Sequence, residues 1–394
     1  MAQYKLNDPD FLRDPTSVLA QMREEGPLVR TKLPIIGQCW ATTTDAATRE
    51  VLKDEALFAR NPANAGGKDI SRYYWFLPRF MRPLTRNILS LDGAEHKRIR
   101  AAVDHSFSRA AIDALRPEIT QVADQYLDQL DPSKPVDITQ DYARMLPLDV
   151  ISALLGIKPE LRQKLSRAIA PISKPTGIIA LFTAMPGLYK TQKLLRAEIE
   201  TIRHTQRNGL LSTLIHDASN DLSDDEILSL AFVLFIAGHE TTLHLISDAV
   251  FAISDGAKFS EPTSLAIEEF MRFFSPVMMT KPLFVRETHE RFGQTLQQGD
   301  KVIAQLIGAN HDPDRFENAA EIQTDRRPNA HIGFGFGPHV CLGMHLARTE
   351  AQIALERLFN RFPDLERTPK NAPPVYSERY GFRGMKTLKV NLKP

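Results

Sequence analysis

The stretch that decides the fold is Phe334-Gly335-Phe336-Gly337-Pro338-His339-Val340-Cys341-Leu342-Gly343, in which glycines surround a single cysteine. Glycines ahead of a cysteine let the backbone fold tightly, so that its N–H groups can point at the sulfur. A helix that follows the loop offers the positive end of its dipole. Both effects favour the thiolate over the thiol.

A single cysteine thiolate can serve as a ligand in only a few kinds of metal site. Tetrahedral zinc needs further Cys or His ligands and an iron–sulfur cluster needs about four thiolates, whereas the chain has only Cys39 besides Cys341. One axial bond to haem iron remains. The alternative is a buried structural cysteine, but the pattern Phe-Gly-x-Gly-x-x-x-Cys-x-Gly arises by chance on the order of once in 100,000 sequences of this composition.

The stretch resembles the haem-binding loop of the cytochrome P450 family, of the soluble bacterial type. The resemblance extends over the whole chain and is most specific over residues 237–348. It implies haem b (iron protoporphyrin IX) as cofactor and Cys341 as the metal ligand. It also implies that Phe334, Gly335 and Gly343 contact the cofactor, and that His339 meets either a haem propionate or the face of the redox partner.

The oxygen side of the cofactor is expected on the long helix, at Ala237-Gly238-His239-Glu240-Thr241-Thr242. Glycine inside a helix costs about 1 kcal/mol relative to alanine, so Ala237 and Gly238 suggest the close approach of a flat group. Thr241 shares their face, and its hydroxyl can bond back to the Ala237 carbonyl. By resemblance, Glu240 and Thr241 are the catalytic acid and alcohol that deliver protons to bound oxygen.

Haem carries two propionates, and buried carboxylates need cationic or hydrogen-bonding partners. By resemblance, the partners are His96 and Arg100, one turn apart, together with Arg286 and His331. Glu269 and Arg272, three residues apart on one helical face, resemble a structural scaffold of the family that Arg326 completes. We expect this scaffold to have no catalytic role.

Composition excludes several classes of protein. The 394 residues carry a formal charge of +1 at pH 7 and are 43% hydrophobic, which removes the electrostatic case for binding nucleic acid or an anionic membrane. Cys39 and Cys341 form no disulfide framework, and the N-terminal sequence has no apolar run typical of a signal peptide or anchor. The most apolar stretch, Leu228–Ala237, is about half of what a bilayer requires. We therefore expect a cytoplasmic protein that binds no membrane.

Helical periodicity predominates, and no linker or repeat divides the chain. We predict a mainly α fold with a minor β region, a single cytochrome P450 domain over residues 1–394. The resemblance implies haem between the long central helix and the Cys-ligand loop and helix. The predicted helices are Thr16–Glu25, Asp45–Leu52, His96–Phe107, Ala111–Leu130, Tyr142–Leu155, Leu161–Ala170, Tyr189–Arg207, Ser223–Ile253, Thr263–Phe274 and Leu342–Phe362; the predicted strands are Leu28–Thr31, Gln38–Thr43, Pro282–Arg286, Lys301–Leu306 and Thr387–Leu392.

The resemblance implies a monooxygenase that inserts one oxygen atom of dioxygen into an apolar small molecule. No Gly-x-Gly-x-x-Gly follows a strand, so electrons must come from separate proteins, for which we expect a ferredoxin and its reductase. A monomer is expected. The redox partner would dock on basic residues, the candidates being Lys97, Arg98, Arg109 and Arg348.

By family position, the substrate pocket would draw on Tyr73–Phe80, Ile172–Leu188, Leu234, Val277–Thr280 and Tyr380–Phe382. The apolar runs 73–77 and 178–182 fall in predicted loops, where exposure needs a reason. They favour a terpenoid, steroid, fatty acid or aromatic substrate. Two other functions stay open at this point: a peroxygenase driven by hydrogen peroxide, and a haem sensor or carrier without catalysis.

Overall fold

The computed structural model describes residues 4–33, 36–73, 78–169, 178–217, 219–259 and 263–393. Helices dominate this part of the chain. In chain order they are α1 (Pro9–Arg13), α2 (Thr16–Glu25), α3 (Asp45–Lys53), α4 (Ile70–Tyr73), α5 (Arg82–Thr85), α6 (Gly93–Asp104), α7 (Arg109–Ala114), α8 (Arg116–Asp128), α9 (Met145–Leu155), α10 (Pro159–Ile169), α11 (Ile178–His204), α12 (Leu210–His216), α13 (Asp224–Ser254), α14 (Thr263–Phe274), α15 (Leu306–Asn310) and α16 (Met344–Arg361).

The strands of the described residues are short and form three small sheets. The strands are β1 (Leu28–Leu33), β2 (Gly37–Thr42), β3 (Phe58–Ala59), β4 (Val136–Asp137), β5 (Leu283–Val285), β6 (His289–Arg291), β7 (Gln294–Leu296), β8 (Lys301–Ile303), β9 (Glu366–Arg367) and β10 (Lys389–Asn391). The largest sheet has the order β1-β2-β8-β5-β3; β4, β10 and β9 form a second sheet, and β6 pairs with β7. Strands β1 and β2 are antiparallel with Leu28 opposite Thr42, and β2 runs parallel to β8.

Helix α13 is the centre of the fold. It begins with a capping box: the Ser223 side chain accepts from the backbone N–H of Glu226, whose carboxylate accepts from the backbone N–H of Ser223. The helix packs against α9, α16, α11 and α14. It is long and apolar enough to cross a membrane, but most of its apolar part is buried in the protein, as expected for a core helix.

One hydrophobic cluster runs through the protein from Leu6 to Leu392. Residues from both ends of the chain therefore share a core. This supports the prediction of a single domain, which stays a prediction.

The predicted mainly α architecture is confirmed, with differences at element boundaries. Helix α11 begins at Ile178, so the apolar run 178–182 is helical and the predicted loop is wrong; residues 74–77 and 170–177 lie outside the described part. The predicted helix 111–130 is divided between α7 and α8, because Leu115 ends one helix and Pro117 suits the first turn of the next. Residues 255–259 contain no helix.

The Glu269, Arg272 and Arg326 scaffold is a buried network. The Glu269 carboxylate accepts from both guanidinium groups at 2.8–3.2 Å. Arg272 also donates to the carbonyls of Asn310, Ala319 and Glu321. These bonds tie α14 to the segment that leads into the cysteine loop, so the predicted structural role is confirmed by the contacts.

Candidate functional site

The loop before Cys341 depends on two glycines with left-handed backbone. Gly335 and Gly337 have φ values of 76° and 74°, where side chains other than glycine are strained. A Cβ atom on Gly337 would lie 2.5 Å from the carbonyl oxygen of Leu52. The loop then closes through the backbone N–H of Cys341, which donates to the Phe334 carbonyl at 2.8 Å.

Cys341 is an exposed residue, although the protein around it desolvates the thiol. Burial raises the pKa of the thiol, while the backbone N–H of Gly343 and the cations Arg100 and Arg348 act in the opposite direction. The expected effect of a loop N–H group on the sulfur is therefore present, but desolvation is larger. A bond to a metal ion would supply the missing stabilisation, since coordination deprotonates a thiol outright.

Helix α13 presents a matching accessible position at its middle. Ala237 is exposed, although Phe235 and His239 on either side are buried. Thr241, one turn later, donates its hydroxyl hydrogen to the Ala237 carbonyl at 2.7 Å, as predicted. The face that carries Ala237 and Thr241 therefore has accessible surface in the middle of the helix.

The structure gives a reason for the glycine at position 238 other than the predicted approach of a flat group. A Cβ atom at this position would lie 2.6 Å from Cγ1 of Ile151 on α9. The missing side chain therefore lets α9 and α13 approach each other. This packing accounts for the glycine by itself, and the predicted contact of Gly238 with the cofactor stays a prediction.

Glu240 is buried and forms an ion pair with Arg379, whose side chain is 13% exposed. Arg379 belongs to the segment after α16 and also lies over the ring of Phe382, 4.0 Å from its centroid. Sequence reasoning missed Arg379. The only signal in the sequence was the position of Arg379 next to Tyr380–Phe382, a segment predicted to line the substrate pocket.

A cluster of basic side chains surrounds the cysteine loop. The rings of His96 and His339 have centroids 3.9 Å apart, and Arg100 donates to the Val340 carbonyl at 2.6 Å. Burial and the cation Arg60 both lower the pKa of His339, to about 2. The Nε2 atom of His339 is buried and has no hydrogen-bond partner among the described residues.

Two further cations belong to this cluster and were missed. Burial lowers the pKa of Arg60 to about 10, although Asp92 and Glu55 act against it. Burial and Arg60 together lower the pKa of Lys281 to about 8, although Lys281 retains accessible surface. Lys281 is therefore an exposed residue whose ammonium group is still desolvated by the protein around it. Its signal in the sequence was a lone cation in the apolar stretch 277–285.

Comparisons with known proteins identify the family. Residues 263–390 match the family described as Cytochrome P450. The polyketide biosynthesis cytochrome P450 PksS of Bacillus subtilis is 31% identical over 97% of this chain and 97% of its own length. The chain belongs to the cytochrome P450 family. A vitamin D(3) 25-hydroxylase of Pseudonocardia autotrophica is 32% identical over 100% of this chain and 97% of its own.

Solved structures of P450 proteins share the whole fold. A myxobacterial cytochrome P450 crystallised with myristic acid has a TM-score of 0.90 at 30% identity, over 99% of both chains. PksS itself has a TM-score of 0.88 at 30% identity, over the full length of both chains. The protein is thus a P450 haem-thiolate monooxygenase that binds haem b and acts on a small molecule with electrons from redox partners.

The residues present fit haem b. A P450 cofactor needs a sulfur ligand, a flat apolar surface on its other side and partners for two carboxylates. Cys341, the exposed Ala237, and the cluster of Arg60, Lys281 and the unpartnered Nε2 of His339 offer these three features. The orphaned nitrogen is the most specific of them, because buried polar atoms normally have a partner.

Two predicted propionate partners have other contacts. His331 has Nε2 at 3.0 Å from Oε2 of Glu268 and accepts from the backbone N–H of Gly333 at its Nδ1, so both ring nitrogens are used within the protein. Arg286 donates weakly to the Asn64 carbonyl at 3.4 Å and lies 4.0 Å from Asp92. The assignment of His331 is therefore corrected, whereas the buried Nε atom of Arg286 has no hydrogen-bond partner among the described residues and its predicted role stays a prediction.

Proposed function

We propose that Cys341 would supply the sulfur ligand of the haem iron in this P450, and that Thr241 and Glu240 would deliver the protons that dioxygen activation consumes. Haem, when bound, supplies the iron that activates dioxygen. The observation that carries the proposal is the exposed face of Ala237 and Thr241 in the middle of a buried helix. Thr241 holds a hydroxyl there, and Glu240, the residue before it, lies on the adjacent face.

The chain's own residues have distinct roles in this proposal. The N–H of Gly343 and the cations Arg100 and Arg348 stabilise negative charge on the sulfur. Ala237 leaves room for a flat ring on the helix surface. Phe334, Gly335 and Gly343 hold the loop around the ligand. His96, His339, Arg60 and Lys281 bind the carboxylates, and the pair of Glu240 with Arg379 keeps a buried acid next to Thr241.

Apolar residues that pack against α13 support the proposal of an apolar substrate. Met81, Leu84, Ala184 and Leu188 form a buried cluster on which Phe232 of α13 packs. Related P450 structures were solved with myristic acid and with testosterone. We therefore propose a fatty acid, steroid, terpenoid or aromatic compound as substrate.

A ferredoxin and its reductase are proposed as electron donors, but the docking patch needs revision. Arg98 pairs with Glu226, and Arg348 forms a bidentate pair with Glu268. Arg109 lies 3.7 Å from Asp113. Lys97 is exposed and is the strongest remaining candidate of the four. A cytoplasmic location and a monomer, with no nucleic-acid partner, complete the proposal.

A spectral experiment tests the ligand. The purified protein should show the ferrous carbon-monoxide band of a thiolate-ligated haem, and Cys341→Ala should lose it. Cys39→Ala, at the other free cysteine, is the matched control and should keep the band. A Cys341→Ala protein with an unchanged spectrum would exclude the proposed ligand. The same preparation, titrated with fatty acids, steroids and terpenoids, reports the substrate class through spin-state shifts.

A further inference from the structure

A surface groove of about 470 Å³ lies between α11, the residues around α5 and the start of α13. The rings of Phe80 and Tyr189 meet there edge to face, with centroids 5.2 Å apart, and Tyr189 is 53% exposed. The groove therefore has an aromatic wall that is open to solvent. Its lining includes Phe80, Tyr189, Gln192, Lys193, Arg196 and Asp225.

Polar contacts hold the sides of the groove together. The amide Nε2 of Gln192 donates to the Phe80 carbonyl at 2.9 Å, which ties α11 to the segment before α5. Arg196 pairs with Asp225 at 2.7 Å, which ties α11 to the first turn of α13. Three separate segments of the chain therefore form one concave surface.

The exposed face of α11 carries two kinds of cation. Arg196 and Arg203 pair with acids in the first turn of α13. Lys190 and Lys193 lie three residues apart and so share a face; both are exposed and have no acidic partner in the part of the chain that the structure describes. Because Lys193 also lines the groove, its ammonium group is available to an anion. Charge complementarity therefore favours a ligand with a carboxylate at this end.

Apolar residues lead from the groove towards the middle of α13. Phe80 lines the groove and also packs against the small buried cluster that contains Leu188. Phe232 of α13 packs on the same cluster. Further along α13, Ala237 and Thr241 retain accessible surface. The groove and the oxygen-activating face of α13 are therefore joined by apolar side chains.

The length of α13 sets the size of a ligand that reaches both places. Asp225 lines the groove, and Thr241 lies 16 residues later on the same helix. At a rise of 1.5 Å per residue, the two positions are about 24 Å apart along the helix axis. A ligand that touches both must be a long chain, because a compact ring system cannot span this distance.

We propose that the groove binds the carboxylate of a long-chain fatty acid through Lys193, with Lys190 beside it. The acyl chain runs past Phe80 and Phe232 towards Thr241, where the oxygen atom is inserted. The inference rests on the proposed function, and it selects the fatty acid among the four substrate classes given there.

The binding test compares palmitic acid with its methyl ester, which has the same chain and no charge. The haem-loaded protein is titrated with each, and the dissociation constant is obtained from the spin-state shift. Lys193→Met should weaken binding of the acid about threefold, as expected for one exposed charge pair. Lys193→Glu should weaken it about tenfold, because the new carboxylate repels the ligand. The ester should bind the wild type and both variants equally.

The matched control is Lys389→Glu, at an exposed lysine of β10, which should bind the acid like the wild type. A loss of affinity that the acid and the ester share would overturn the assignment of Lys193. Acid binding that Lys193→Glu leaves unchanged would overturn it as well.

The position of oxidation gives a second readout. Fatty acids of increasing length are turned over with NADH, a surrogate ferredoxin and its reductase, and the products are identified by mass spectrometry. A carboxylate held in the groove keeps the oxidised carbon at a constant count from the carboxyl end. The double variant Lys190→Met with Lys193→Met should spread oxidation over several carbons. A constant count from the methyl end in the wild type would overturn the groove assignment alone, whereas a wild type without the thiolate band would refute the proposed function.

Discussion

The rings of His96 and His339 face each other with centroids 3.9 Å apart and planes inclined at 33°. Burial lowers the pKa of both imidazoles, and Arg60 and Arg100 act in the same direction. Both rings are therefore neutral near pH 7. They can donate N–H groups to a carboxylate, while Arg60 and Lys281 supply the positive charge.

Lys281→Ala should weaken haem retention. A hydrogen bond to a charged group contributes about 1.5–3 kcal/mol, which corresponds to a loss of roughly tenfold or more in affinity. The measurement is the rate of haem transfer to an excess of an apoprotein acceptor. Lys97→Ala, at an exposed lysine of α6, is the control. Equal transfer rates for the two variants would remove Lys281 from the cofactor site.

Thr241→Ala should divert electrons from product to peroxide. The variant loses the hydroxyl that donates to the Ala237 carbonyl and that we assign to proton delivery. Thr241→Ser keeps a hydroxyl and should retain most of the coupling between NADH consumption and product. Peroxide and product are measured together at saturating substrate. An alanine variant that couples as well as the serine variant would contradict the assignment.

The cysteine loop and the central helix could be predicted because their information is local. Gly335 and Gly337 need left-handed backbone, and Ser223 and Glu226 mark a helix start, whatever the rest of the chain does. The partners of buried charges could not be predicted, because they depend on which distant segments meet. His331 is bound by Glu268, 63 residues away.

Gly238 shows the same limit of prediction from sequence, because its neighbour also lies in a distant segment. A glycine inside a helix signals a close approach, but the sequence does not say by what. Only the packing of α9 on α13 identifies Ile151 as the neighbour. Lys281 and Arg60 were missed for a related reason: they are 221 residues apart in the numbering, and folding brings them close enough for Arg60 to lower the pKa of Lys281.

Glu269→Gln should strongly destabilise the protein. The carboxylate accepts from Arg272, Arg326 and Asn329 and is fully buried. Removing its charge leaves two buried guanidinium groups without their counter-ion, which costs about 3–5 kcal/mol. Urea unfolding followed by circular dichroism measures the loss. Glu24→Gln, at an exposed acid of α2, should stay within about 0.5 kcal/mol of the wild type.

Gly384→Ala should also destabilise the protein, through overpacking. The new methyl group would lie 2.2 Å from the His244 ring, and such insertions cost about 1–3 kcal/mol. Thermal unfolding of the single variant and of the double variant Gly384→Ala with His244→Ala checks the cause. The double variant should recover part of the loss, because the ring that clashes is gone. A double variant with no recovery would mean that the strain lies in the backbone.

Asp248→Asn should stabilise the protein at pH 8 and change its stability less at pH 5. Burial raises the pKa of Asp248 to about 7 in the folded state, against about 3.9 for an unfolded aspartate. Because the pKa is higher in the folded state, this carboxyl stabilises the folded protein fully at low pH. That stabilisation is lost between about pH 4 and 7, because the unfolded chain releases the proton first. The loss is of the order of 4 kcal/mol at most, at 1.36 kcal/mol for each pH unit. Asparagine has no proton to release, so its unfolding free energy should fall less from pH 5 to 8. Asp221→Asn, at an exposed position, should follow the wild-type pH dependence, and an Asp248→Asn protein that does the same would show that this carboxyl titrates normally in the fold.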